Sequence, residues 1–154
     1  MSITVNEALE FATKAHAGQK RWDRSPYINH PIEVSGMVHG NTNKIIALLH
    51  DTVEDCNITD DDLRQAGLTD VQIDMIDCLT KRQGESYLDY LCRVVKYDTT
   101  IDVKVADLKH NSFDLRPGNM RDKYSLALFL LTNKEGIDAL KNRASKINSA
   151  RYRD

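Results

Sequence analysis

Several threonines along this chain stand three residues before an acidic or amide side chain, and four of these pairs read as helix starts with an apolar repeat after them. These four are Thr4–Glu7, Thr59–Asp62, Thr69–Gln72 and Thr132–Glu135. In such a pair the hydroxyl accepts from a free N–H in the first turn of a helix, and the longer side chain reaches back to the threonine N–H. Ser86 reads as a further start. Beyond these caps the apolar positions recur at helical spacing. Val5, Ala8, Leu9, Ala12 and Ala15 form one stripe, Ile73, Ile76 and Leu79 another, and Leu88, Leu91 and Val95 a third. Pro31 suits the first turn of a helix with Val34, Met37 and Val38 on its inner side. Gly18 and Gly40 follow the first two helices, and Asn41 to Asn43 open the next. Thr100 begins a helix in which Val103 and Val105 lead to Asp107. Residues Asp114 to Asn119 read as a loop, before helices from about Arg121 to Leu131 and onward to about Ser149. No stretch reads as a strand. The pattern predicts an all-α fold, a compact bundle of about eight helices forming one domain over residues 1–154.

With 154 residues the chain buries a core without help from disulfides. Cys56, Cys78 and Cys92 are odd in number and lack C-x-x-C spacing, which suits free thiols in a reducing cytosol. The N-terminus has no basic segment leading into an apolar run. The longest apolar run, Leu126 to Leu131, falls far short of the roughly 18 residues of a membrane helix. A net charge of -2 argues against coating DNA, RNA or an acidic membrane, while a local basic cluster still suits a small anion. The expectation is a cytoplasmic protein acting on a small molecule.

One stretch departs from this ordinary pattern. Ile45-Ile46-Ala47-Leu48-Leu49 is purely apolar, and it delivers His50, Asp51, Glu54 and Asp55. On a continuous helix His50 shares a face with Glu54, and Asp51 with Asp55. Carrying such groups inward without partners is costly, and a divalent cation would offset that cost. Further ligands come from His30, held stiffly before Pro31, and from Asp107, with Asn111 one turn later. Two imidazoles and two carboxylates without a thiolate suit Mn2+, Fe2+ or Zn2+ better than Ca2+. Spacing alone leaves open whether these helices converge. Lys20, Arg21 and Arg24 crowd the loop before His30, either as solvated surface or as a phosphate clamp. Trp22 and Tyr27 in the same loop suit either packing or stacking on a base.

The blocks AHAGQKR, PYINHP, ALLHDTVED, LTK and KVADLKHN occur in this order between about Ala8 and Asn111. In them the chain resembles the HD-domain phosphohydrolases, and among those the alarmone hydrolase domain of RelA/SpoT-like enzymes and their free-standing small relatives. The resemblance implies an all-α fold, bound Mn2+, and removal of pyrophosphate from the 3′ position of guanosine tetra- or pentaphosphate (ppGpp or pppGpp). It implies that His30, His50, Asp51 and Asp107 hold the metal, and that Glu54 and Asp55 handle the attacking water. Arg21 falls where the family has a basic residue beside the phosphates, with Lys20 and Trp22 flanking it, and Asn111 where it has a polar residue near the sugar. The family commonly carries a basic residue after the last metal aspartate, where this chain has Leu108, and a glycine about where Arg24 stands. Beyond Asn111, Ser112-Phe113-Asp114 gives no match. A chain of this length leaves no room for a synthetase domain, so a stand-alone hydrolase is expected. The competing expectations are a phosphatase of another nucleotide, such as NADPH, and a nucleotide sensor that does not hydrolyse.

Overall fold

The threonine caps set the helix starts. The structure, a computed structural model, describes residues 2–113 and 119–151. Thr4 with Glu7, Thr59 with Asp62 and Thr69 with Gln72 each form the reciprocal box, opening α1 (Val5–Ala15), α5 (Asp60–Gln65) and α6 (Asp70–Leu79). Ser86 caps α7 (Tyr87–Val94) by accepting from the Asp89 N–H. The other helices are α2 (Asn29–Gly36), α3 (Asn41–Leu49), α4 (Thr52–Asp55), α8 (Asp98–Ser112), α9 (Asn119–Thr132) and α10 (Lys134–Arg151). Among the described residues there are ten segments against the expected eight or so, and α4, a four-residue turn, is one that the sequence reading did not set apart. Among the described residues the only extended pairing is an isolated bridge from Lys20 to Pro26.

The fourth threonine does not cap. Thr132 stays within α9 and its hydroxyl donates to the Leu128 carbonyl, the back-bond that competes with capping. Asn133 takes over, its side-chain oxygen accepting from the Gly136 N–H at 2.7 Å. Gly136 lies so close to α9 that a Cβ there would collide with the Leu130 carbonyl. Helix α8 starts at Asp98, earlier than expected, and the buried Thr100 hydroxyl donates to the Tyr97 carbonyl at 2.8 Å. Met37 and Leu88, both read as inward, are each 40% exposed. The expected loop falls largely on residues 114–118, outside the described residues, and α9 already begins at Asn119.

Helix α3 is the centre. All five of its residues from Ile45 to Leu49 are buried, and α1, α2, α6 and α8 pack around it. Ile46 and Leu49 are wholly enclosed, each worth about 1.5–3 kcal/mol of burial. Helix α8 crosses the same core, touching α2 and α3 on one side and α9 on the other, while α9 and α10 close the far side against α7. This arrangement aims three chain segments at one point: the start of α2, the end of α3 and the middle of α8. Among the described residues no helix is long and apolar enough to cross a membrane, and the three cysteines are free, with Cys78 and Cys92 buried.

Candidate metal centre and the cavity beside it

The apolar run in α3 does not continue as one straight helix into its charged end. At Leu49 the chain tightens, and α4 restarts at Thr52. The His50 ring donates from Nδ1 to the Ala47 carbonyl at 2.7 Å, and the Thr52 hydroxyl donates to the Leu49 carbonyl at 2.8 Å. These side chains satisfy carbonyls of the last turn and let the backbone bend. His50 and Asp51 therefore sit at a kink. Glu54 does not meet His50: its carboxylate accepts from the Lys81 N–H at 3.1 Å.

At the kink His50 meets the other expected ligands. His30, in the first turn of α2, and Asp107, on the inner face of α8, are both buried with it, and the ligand atoms of the three lie within 4.8 Å of one another. His30 Nε2 lies 3.0 Å from Asp107 Oδ1 and 3.6 Å from Asp51 Oδ2. His50 Nε2 lies 3.0 Å from Asp51 Oδ2 without hydrogen-bond geometry, and it has no hydrogen-bond partner although it is buried. An unpartnered buried ring nitrogen is costly, and an imidazole whose other nitrogen donates to a carbonyl is set up as a metal ligand. The four residues fit a divalent ion: two neutral rings, two carboxylates and no thiolate.

The supports of this set are as specific as the set itself. Tyr27 donates its hydroxyl to Asp51 Oδ2 at 2.7 Å. Lys104 donates to Asp107 Oδ2 at 2.7 Å, and Asn111 donates to Asp107 Oδ1 at 2.8 Å. Burial raises the Asp51 carboxyl, but the charge of His50 outweighs it and holds Asp51 at about 2. Burial opposes ionising Asp107 too, and Lys104 overrides it, so Asp107 stays well below the usual range. Burial disfavours a charged His50, yet Asp51 and Asp107 draw a proton to it more strongly than to a free histidine. The centre thus attracts positive charge, and a metal ion competes with that proton.

Beside the centre lies a cavity of about 240 Å³. His50, Asp51, Glu54, Asp55 and Asp107 line it. Burial raises both Glu54 and Asp55, and the Asp51 charge adds to each. Lys81, Lys104 and Lys123 with Tyr87 and Tyr124 line it as well. Lys123 Nζ sits 4.0 Å from the centre of the Tyr87 ring, and the buried Tyr87 hydroxyl has no partner among the described residues. Burial lowers Lys123, and repulsion from Lys81 and Lys104 lowers it further. Crowded ammonium groups sharing a cavity with carboxylates suit an anion that also meets a cation.

The basic loop is placed less directly. Arg21 reaches the centre through Asn111, donating to its side-chain oxygen at 3.2 Å. Asn111 thus spends its polar atoms on Asp107 and Arg21. Lys20 is exposed, and Trp22 is 71% exposed; neither is among the residues lining the cavity. Arg24 adopts φ +68°, so the loop keeps the left-handed turn that suits a glycine. Leu108 is enclosed in the core, and the cation against Asp107 comes from Lys104, one turn earlier. Sequence reasoning passed over Tyr27 as a support, His110, and the cavity-lining Lys81, Tyr87 and Tyr124. His110 had a signal, since it lies three residues after Asp107 on the same helical face. Lys81 ended the LTK block, but nothing in its spacing tied it to α8.

The fold and the buried His–Asp group make an all-α domain with a candidate metal centre. No family model matches the chain. The GTP pyrophosphokinase rsh of Brucella ovis is 32% identical over 140 residues, covering 80% of this chain and 18% of that protein. The GTP pyrophosphokinase of Streptomyces coelicolor is 30% identical over 125 residues, covering 73% of this chain and 15% of that protein. The chain thus spans less than a fifth of the length of these relatives. A solved structure described as "A metazoan ortholog of SpoT hydrolyzes ppGpp and plays a role in starvation responses" has the same fold. It superposes with a TM-score of 0.68 at 21% identity, over 96% of this chain and 94% of that one. The chain is thus similar in sequence to one segment of the GTP pyrophosphokinases, and it shares its fold with the solved structure.

Proposed function

We propose that this chain is a metal-dependent hydrolase that removes pyrophosphate from the 3′ position of ppGpp or pppGpp, giving GDP or GTP, with Mn2+ as its working ion. Its substrate is a small nucleotide of the cytoplasm and not a DNA or RNA polymer. The observation that carries this reading is the unpartnered, buried His50 Nε2 within the His30, His50 and Asp107 group, opening on the cavity that holds Glu54 and Asp55. The relatives and the fold point the same way.

In this reading His30, His50, Asp51 and Asp107 hold the ion. A divalent ion there acidifies a water molecule and neutralises charge on a phosphate oxygen. The chain's own side chains do the rest. Glu54 and Asp55, raised by burial and by Asp51, take the proton of the attacking water. As a close pair they act together, and the base role belongs to both. The water oxygen bonds to phosphorus, the bond from phosphorus to the ribose 3′ oxygen breaks, and that oxygen leaves with the electron pair and gains a proton. Lys81 and Lys123 lie where they offset the negative charge of the phosphates. Arg21, tied to the cavity through Asn111, receives the rest of the nucleotide together with its loop neighbours Lys20 and Trp22.

The purified chain, incubated separately with ppGpp, pppGpp and NADPH in the presence of Mn2+, decides this by product analysis. GDP or GTP with pyrophosphate is expected. Loss of phosphate from NADPH alone would overturn the alarmone reading, and tight ppGpp binding without product would make the chain a sensor.

A further inference from the structure

His30 holds its ring between two very different neighbours. Its Nε2 faces Asp107 Oδ1 at 3.0 Å and Asp51 Oδ2 at 3.6 Å. Its Nδ1 lies 2.8 Å from Nδ1 of His110, with the two ring centres 4.9 Å apart. Two imidazole nitrogens at this distance bond only if one carries a proton and the other does not.

Two arrangements follow for a neutral His30. With the proton on Nε2, that proton turns toward Asp107, and Nδ1 is an acceptor that needs a donor. With Nε2 bare and able to hold a cation, the proton sits on Nδ1, which then needs an acceptor. A backbone carbonyl serves only the second arrangement, as Ala47 does for His50. A lysine would serve only the first. A second histidine serves both, because its own proton can sit on Nδ1 or on Nε2.

We infer that His110 is a positioning residue for His30, following it between a donor and an acceptor role so that His30 Nε2 can be freed for an ion. This rests on the metal reading of the His–Asp group. Asp107 and His110 are three residues apart on α8, so one helix face supplies both a ligand carboxylate and the ring that orients an imidazole ligand. No net proton is gained or lost: His30 moves its proton from Nε2 to Nδ1, and His110 moves its own from Nδ1 to Nε2.

The test uses His110→Ala and His110→Asn, the latter because an amide can turn either its oxygen or its NH2 toward His30. Binding of Mn2+ and of Zn2+ to the metal-free protein is measured by calorimetry, with circular dichroism to confirm folding. The alanine variant is expected to bind about 10–100-fold more weakly, as for other outer partners of metal-binding histidines, and the asparagine variant to recover to within about threefold of the parent. Nitrogen-15 spectra of the imidazoles in the parent are expected to show the His110 proton on Nδ1 without Zn2+ and on Nε2 with it. Parent-like affinity in the alanine variant, an asparagine variant as weak as alanine, or a His110 ring unchanged by Zn2+ would each overturn the inference. A parent that takes up neither ion would instead sink the metal reading itself. Should the alanine variant not fold, the asparagine variant and the spectra of the parent still decide.

Discussion

Lys104→Met tests how the centre balances charge. Lys104 donates to Asp107 Oδ2 at 2.7 Å, with the two side chains 15% and 6% exposed. Methionine keeps an apolar stem of similar length and loses the ammonium, which also sits over the Tyr90 ring at 5.3 Å. Breaking a buried pair by deleting one partner costs about 3–5 kcal/mol, because the other charge is left behind. Asp107 keeps its bond from Asn111 at 2.8 Å and the nearby His30, so the lower end, about 3 kcal/mol, is the figure to expect. For a chain of this size that is a fall of about 6–12 °C in melting temperature. A cation at the centre restores what the lysine supplied, so the variant should bind Mn2+ more tightly than the parent and gain more from it. The assay is thermal unfolding by circular dichroism over a Mn2+ titration, read as ligand-linked stabilisation. The reasoning fails if the variant melts within about 2 °C of the parent without Mn2+, a shift too small for a stranded buried charge. It fails equally if the gap between the two is the same at saturating Mn2+.

Glu54→Gln should cost about 10²–10⁴-fold in turnover of ppGpp while Mn2+ affinity stays near the parent's, because Glu54 bonds to the Lys81 N–H and to none of the four expected ligands. Equal loss of both in kinetics and calorimetry would contradict that division. Arg24→Gly should leave melting unchanged or raise it slightly, since glycine takes the left-handed φ of +68° without strain; a fall of several degrees would show that the arginine side chain matters more than the turn. The hydrogen bond from Arg93 lowers Glu85 below its ordinary range, with burial opposing. Its contribution is complete above the unfolded pKa of about 4.3 and is lost as pH falls through the depressed folded value. Urea midpoints taken from about pH 6 to about pH 3 should therefore fall less steeply for Glu85→Gln than for the parent, and parallel curves would refute the linkage.

What was legible in the sequence was what is local or carried by the motif blocks. The Thr4, Thr59 and Thr69 boxes depend on four consecutive residues, and they form as read. Thr132 has the same spacing but ends one helix while another begins, and its hydroxyl bonds backward to Leu128, a choice made by tertiary packing. The bend at His50 was hidden for a related reason. Helical spacing assumes a straight axis, whereas the His50 ring and the Thr52 hydroxyl take the carbonyls that would keep it straight. Asn111 was placed by analogy near a sugar; its bond to Asp107 is a one-turn neighbour contact on α8, whereas its bond to Arg21 depends on the approach of the basic loop.

The apolar run before His50 carries charge into the core because each group there meets a partner. Asp51 has Tyr27 and the nearby His50 ring, Asp107 has Lys104 and Asn111, and His30 has His110. The balance of charge turns on His50. Asp51 and Asp107 are held ionised against the Lys104 ammonium, and they draw a proton to His50. Without that proton the surplus is negative, in surroundings that screen poorly, beside the His50 Nε2 that has no hydrogen-bond partner. A divalent cation there would take the place of the proton, relieving the surplus and engaging the ring nitrogen at once. Lys81 and Lys104 repel the Lys123 ammonium, which lines the same cavity. That mutual repulsion is relieved by an anion. An ion of each sign is therefore favoured in the cavity, and a phosphorylated nucleotide beside a divalent metal brings both charges there together.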